Sequence, residues 1–157
     1  MLPPSAGLII VVLSEIFMPS AETKLTTGQH ITRILLGLFL AFAGTSHLSF
    51  SRKEFRAQVP PWIPMHPDLV VILSGIVEIS LGLSLIFLVK KRRAAGWIVA
   101  LFFVLIFPGN IAQLTEHRDA FGLDTDFKRW LRLPFQFVLI FAALWSTGAW
   151  KQWRNTK

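Results

Sequence analysis

Long apolar stretches alternate along the chain with short polar, basic or proline-rich ones, and four of them stand out: residues 31–50, 69–89, 94–113 and 131–150. A helix rises about 1.5 Å per residue, so about 20 apolar residues cross the hydrocarbon core of a bilayer. Each stretch therefore predicts a spanning helix. None shows the strict alternation of a barrel strand, and a spanning segment must satisfy its own backbone hydrogen bonds. The pattern predicts an all-α integral membrane protein, a four-transmembrane-helix bundle. Glycine and serine within the stretches fit this, because small residues let membrane helices approach closely. An earlier apolar segment, Leu2 to Met18, is short, contains Glu15 and has no Lys or Arg ahead of it. It makes a poor signal peptide and a marginal span. We expect it to belong to an N-terminal extension, residues 1–29, that lies on the membrane, partly enters it or forms a fifth span. The four-helix domain then covers residues 30–153.

The segments between the apolar stretches predict how the bundle is oriented and capped. Lys90, Lys91, Arg92 and Arg93 form a tight basic turn between the second and third spans. Basic residues in short loops favour the cytoplasmic side, and Lys24, Arg33, Lys151, Arg154 and Lys157 fall on the same side of the pattern. Both termini are expected in the cytoplasm. Trp130, Trp145, Trp150 and Trp153 near span ends fit an aromatic belt. Loop 51–67 holds Pro60, Pro61, Trp62, Pro64 and Pro67. Proline lacks a backbone donor and restricts the residue before it, so this loop predicts a rigid cap rather than a long helix.

Composition narrows the chemistry. The 157 residues are 53% hydrophobic with a mean hydropathy of +0.55, which suits one compact membrane domain in contact with the lipid bilayer. The formal charge of +7 sits beside apolar spans rather than through a soluble fold, so no nucleic-acid partner is expected. With no cysteine, the chain has no disulfide, thiolate nucleophile or haem thioether link. Its four histidines lack the spacing of a ligand box, so no metal site is expected. Any redox role rests on a bound cofactor or substrate.

The most informative residue is Glu78, near the middle of the second span. An ionisable group at that depth costs roughly 2.5–3.5 kcal/mol on insertion scales, so it should face the bundle interior and have partners. His47 lies about one turn from the loop end of the first span, on the face that carries Gly37, Ala41 and Gly44. Ser74, Glu78 and Gly82 share one face of the second span. Asn110 and Gln113 close the third, just after Pro108 and Gly109, whose combination can kink the helix. Arg132 and Gln136 open the fourth at i, i+4 spacing. His47, Glu78, Asn110, Arg132 and Gln136 should meet in the same half of the bundle, with Ser74, Trp62 and Gln113 as secondary candidates. Two readings fit. The set either lines a pocket for a polar head group or redox ligand, or forms a polar lock that fixes helix register without chemistry. The stretch F-G-L-D-T-D-F-K-R-W, residues 121–130, reads as a solvated loop or, through Phe121, Phe127 and Trp130, as a lid.

Taken in order, G-T-S-H-L-S-F (44–50), P-P-W-I-P (60–64), S-G-I-V-E-I-S-L-G (74–82), F-P-G-N-I (107–111) and R-L-P-F-Q (132–136) resemble the signature of the DoxX family of small bacterial membrane proteins. The resemblance covers about residues 30–150. It implies a four-helix bundle in the inner membrane. Relatives are associated with a thiosulfate:quinone oxidoreductase or with oxidative-stress assemblies, and most have no established activity. The matched polar residues are His47, Glu78, Asn110, Arg132 and Gln136. Gly109 stands where many relatives have alanine, a departure that bears on the local kink. The leading expectation is a pocket for a quinone or another redox-active or lipidic molecule, in a component of an oxidoreductase complex with protein partners. The alternative is a non-enzymatic scaffold or partner-binding subunit. A transporter fits less well, because four spans without an inverted repeat leave little room for alternating access.

Overall fold

The computed structural model describes residues 24–151, and the expectations for Leu2 to Met18 and for Trp153 lie outside them. Among the described residues all regular structure is helical: α1 is Thr27–Leu48, α2 Arg52–Arg56, α3 Pro67–Phe87, α4 Arg92–Thr115 and α5 Asp126–Ser146. A short 3-10 turn, Val89–Lys91, leads into α4. Three stretches are long and apolar enough to cross a membrane: Thr27–Leu48, Pro67–Phe87 and Val89–Thr115. The fourth long helix, α5, places Asp126, Lys128, Arg129 and Arg132 in its first two turns, which lowers its apolar content.

Helices begin earlier than the apolar stretches because their caps are polar and escape a hydropathy pattern. Thr26 Oγ1 accepts from the Gln29 backbone while the Gln29 side chain accepts from the Thr26 backbone at 3.0 Å, a closed capping box for α1. His66 Nδ1 accepts from Asp68 N, and Pro67 fills the first helical position of α3, where its missing donor costs nothing. Thr125 caps α5 through Lys128 N. α4 starts inside the basic turn, with Arg92 and Arg93 already helical and buried.

The helices pack as two hairpins. α1 lies most closely on α3 and α4 on α5, while α1–α5 and α3–α4 touch less. The first pairing is a backbone-to-backbone approach at two levels. Gly44 faces Gly75, and a methyl on Gly44 would sit 2.5 Å from the Gly75 carbonyl oxygen. Seven residues along, a methyl on Gly82 would sit 2.5 Å from the Gly37 oxygen. Only residues without a Cβ allow antiparallel helices so close. In the second hairpin, a side chain on Gly96 would overlap Thr147.

Toward the basic turn the bundle is a dry core of Leu36, Leu40, Leu85, Val99, Phe103 and Leu144. Arg33 is buried there and its Nη1 donates to the Leu85 and Ile86 carbonyls, which the end of α3 leaves without helical partners. Counted in the sequence as an orientation charge, Arg33 serves in the fold as a cap for a neighbouring helix.

Candidate functional site

At the opposite end a gap is left between the hairpins, lined by residues of α1, α3, α4 and α5. The gap is a cavity of about 630 Å³. Its walls carry His47, Ser74, Glu78, Asn110, Arg132 and Gln136, with Trp62 at the rim. All five polar residues singled out in the sequence, and two of the three secondary ones, therefore face one space. Gln113 lies behind it. That side chain is buried as a tie between loops, accepting from Gln58 Nε2 at 3.0 Å and donating toward the Arg118 and Ala120 carbonyls.

On the α4–α5 wall every polar group hands on to the next. Arg132 Nε donates to Asn110 Oδ1 at 3.0 Å, Asn110 Nδ2 to Gln136 Oε1 at 3.2 Å, and Gln136 Nε2 to the Phe103 carbonyl at 2.7 Å. The Arg132 guanidinium also lies over the Phe121 ring, 5.5 Å from its centroid. The chain fits the local folding of α4. Asn110 follows Pro108 and Gly109 into the interior, and a methyl on Gly109 would meet the Gln58 carbonyl oxygen at 2.7 Å. Glycine at 109 thus lets the loop backbone rest on the helix.

The α1–α3 wall is different. His47 Nδ1 is 3.1 Å from Ser74 Oγ, whose hydroxyl donates to the Val71 carbonyl at 3.0 Å. His47 Nε2 and Glu78 Oε2 face each other at 3.7 Å, too far for a hydrogen bond, and neither atom has a hydrogen-bond partner in the structure. Glu78 and Arg132 form no direct ion pair, although the opposite charge of Arg132 acts on Glu78 from the facing wall. Among the described residues no three His, Asp or Glu side chains gather as a metal set.

Two loops roof the cavity. Glu54 of α2 accepts from Phe121 N at 2.7 Å, and Arg118 Nη1 donates to the Val59 carbonyl at 2.9 Å and the Ala57 carbonyl at 3.3 Å. His47, Phe55 and Phe121 touch in series, the first two rings tilted by 58° and the last two edge to face at 66°. Of the three aromatic residues expected in a lid, Phe121 covers the cavity, while Phe127 and Trp130 are exposed. Phe121 takes a positive φ of 56°, as does His117 at 51°, so the loop reverses sharply to place the ring. Arg129, buried beneath this loop, pairs with Asp119 and with Asp126 at 2.5 Å. In the same loop a hydrogen bond from Lys128 holds the Asp124 carboxyl below its usual range. Phe55 had no sequence signal, since a helix of five residues has no periodicity to read. The apolar lining of Phe39, Phe42 and Phe135 was hidden for another reason: in a membrane helix these residues look the same whether they face lipid or a cavity.

A family model described as "Domain of unknown function (DUF8561)" matches residues 36–147. No curated protein and no solved structure matches the chain.

Proposed function

The chain belongs to the DUF8561 family, and from that premise, which names no activity, we propose that it is a DoxX-like four-span protein of the bacterial inner membrane whose cavity binds a quinone or another redox-active or lipidic small molecule, within an oxidoreductase assembly. α5 supplies the fourth span. Residues 133–146 contain no charged side chain, and Phe135, Phe137, Val138 and Phe141 are exposed as lipid-facing residues would be. The roofed end faces away from the cytoplasm and the basic turn faces it. A cavity of about 630 Å³ is within the usual range for small-molecule sites, roughly 300–1,000 Å³.

One observation carries the reading: His47 and Glu78 place polar atoms without hydrogen-bond partners in a cavity whose other lining is largely apolar. Buried polar atoms are normally paired, and those held in reserve suit a ligand. The second reading, a scaffold with a polar lock, draws on the Arg132–Asn110–Gln136 chain, which is satisfied without any ligand. Thermal unfolding of the purified protein with and without a soluble quinone and its quinol, for wild type and Glu78→Gln, separates the two. Stabilisation of wild type that disappears in a folded Glu78→Gln supports a ligand site. No response in either protein, with Glu78→Gln melting lower, supports the lock.

A further inference from the structure

The hydrogen-bond directions on the α1–α3 wall narrow the class of ligand. Ser74 has one hydroxyl proton, and it is directed to the Val71 carbonyl. With that proton given to the Val71 carbonyl, Ser74 accepts from His47, which places the proton of the neutral imidazole on Nδ1. Nε2 is then an acceptor. Across 3.7 Å it faces Glu78 Oε2, a second acceptor when ionised. Both residues are more than nine-tenths buried, at 5% and 6% exposed. His47 Nε2 therefore has no donor within hydrogen-bond distance, and Glu78 Oε2 has no partner in either protonation state.

The apolar lining has a direction too. Phe39, Phe42, Leu105 and Phe135 line the cavity, yet they are 45%, 65%, 68% and 51% exposed on the sides of the bundle. Toward the loops, Glu54, Arg118 and Phe121 hold the roof down. The cavity thus reaches the lipid-facing surface between the helices.

Accepting the cavity as a ligand site, we propose that its ligand is a membrane-dissolved amphiphile bearing a hydroxyl: the hydroxyl donates into the His47–Glu78 pair, and the apolar body lies among the phenylalanines that open onto the bilayer. Arg132, on the facing wall, offers donors to an oxygen at the far side of the head group. A head that presents only acceptors, such as an ether or the carbonyl of an oxidised quinone, leaves His47 Nε2 unpaired and is held less tightly than its hydroxyl-bearing counterpart.

The test uses the full chain in lipid nanodiscs, with para-octylphenol, its methyl ether para-octylanisole, and phenol as probes. Binding is read from saturable shifts in thermal unfolding. The phenol should bind at least about tenfold more tightly than its methyl ether, the usual scale for a hydrogen bond to a charged or buried acceptor. Phenol without the alkyl tail should need a far higher concentration. In His47→Phe the preference for phenol over methyl ether should fall below about threefold. Should that variant not fold, the wild-type comparison of the two probes decides alone. Equal binding of octylphenol and octylanisole overturns the hydroxyl bridge and leaves the cavity as a ligand site. Absence of any saturable shift with either overturns the ligand-site reading itself.

Discussion

The two walls of the cavity are built from similar residues and differ in how those residues are spent. On the α4–α5 wall, Arg132, Asn110 and Gln136 bond to one another and end on a backbone carbonyl. On the α1–α3 wall, His47 is oriented by Ser74 while its other nitrogen and the Glu78 oxygen stay unpaired. Away from water an unpaired polar atom costs roughly 1–3 kcal/mol, so the first wall is satisfied within the fold and the second carries a cost, which the proposed ligand would recover. What holds each wall in place also differs. α1 and α3 meet helix backbone to helix backbone at glycines, a contact with little give, whereas the roof meets α4 through the backbone of a loop at Gln58 and Gly109.

The largest expected effect comes from breaking the rigid contact. Gly44→Ala forces a methyl against the Gly75 oxygen and the Ile79 backbone nitrogen, so we expect a loss on the order of 3 kcal/mol, read as a lower unfolding midpoint in mild detergent. A midpoint within error of wild type would mean that the hairpin can spread and that the wall is not rigid. Next is the saturated wall. Asn110→Leu strips Arg132 Nε of its acceptor and Gln136 Oε1 of its donor, and should cost about 2 kcal/mol. Without ligand, Glu78→Gln should change stability by less than about 1 kcal/mol, because it keeps the side chain's shape and breaks no hydrogen bond at Oε2. Equal losses from the two variants would erase the contrast between the walls. Gly109→Ala presses on the Gln58 carbonyl, but a loop can shift where a helix cannot, so about 1 kcal/mol is expected, with faster amide exchange around residues 57–59 as its signature. The smallest effect lies in the roof loop. Asp124 has its folded pKa lowered by Lys128, so its contribution is present above the unfolded carboxylate pKa of about 3.9 and is lost as pH falls through the lowered folded value. Asp124→Asn should flatten the acid limb of the melting profile slightly, and a steeper limb would contradict that sign.

Helix position was legible to within a few residues, and the departures have one cause. Hydropathy registers what faces lipid or core and is blind to caps such as Thr26, His66 and Thr125, which work through single hydrogen bonds. The polar set was legible because depth along antiparallel helices follows from counting residues, and polar side chains at one depth in a narrow bundle have few places to go. Gln113 shares that depth and missed the cavity, since depth does not report direction around the helix axis. Arg33 has a further role hidden for the complementary reason: a cation next to a span end reads as an orientation charge, and only the fold puts the open end of α3 beside it.

By itself the sequence determined that the chain is helical and apolar enough for a membrane, that a carboxylate sits mid-span, and at what level its polar neighbours lie. These are properties of single segments, set by transfer energy and helical rise. Only the tertiary structure decided that Gly37 and Gly44 pair with Gly82 and Gly75, that a cavity lies between the hairpins, and that one polar wall is satisfied while the other is not. Hydrogen-bond satisfaction belongs to pairs of atoms brought together from distant parts of the chain. No local pattern contains it, because the same Glu78 would be quiet or poised depending on what stands within about 3 Å of it.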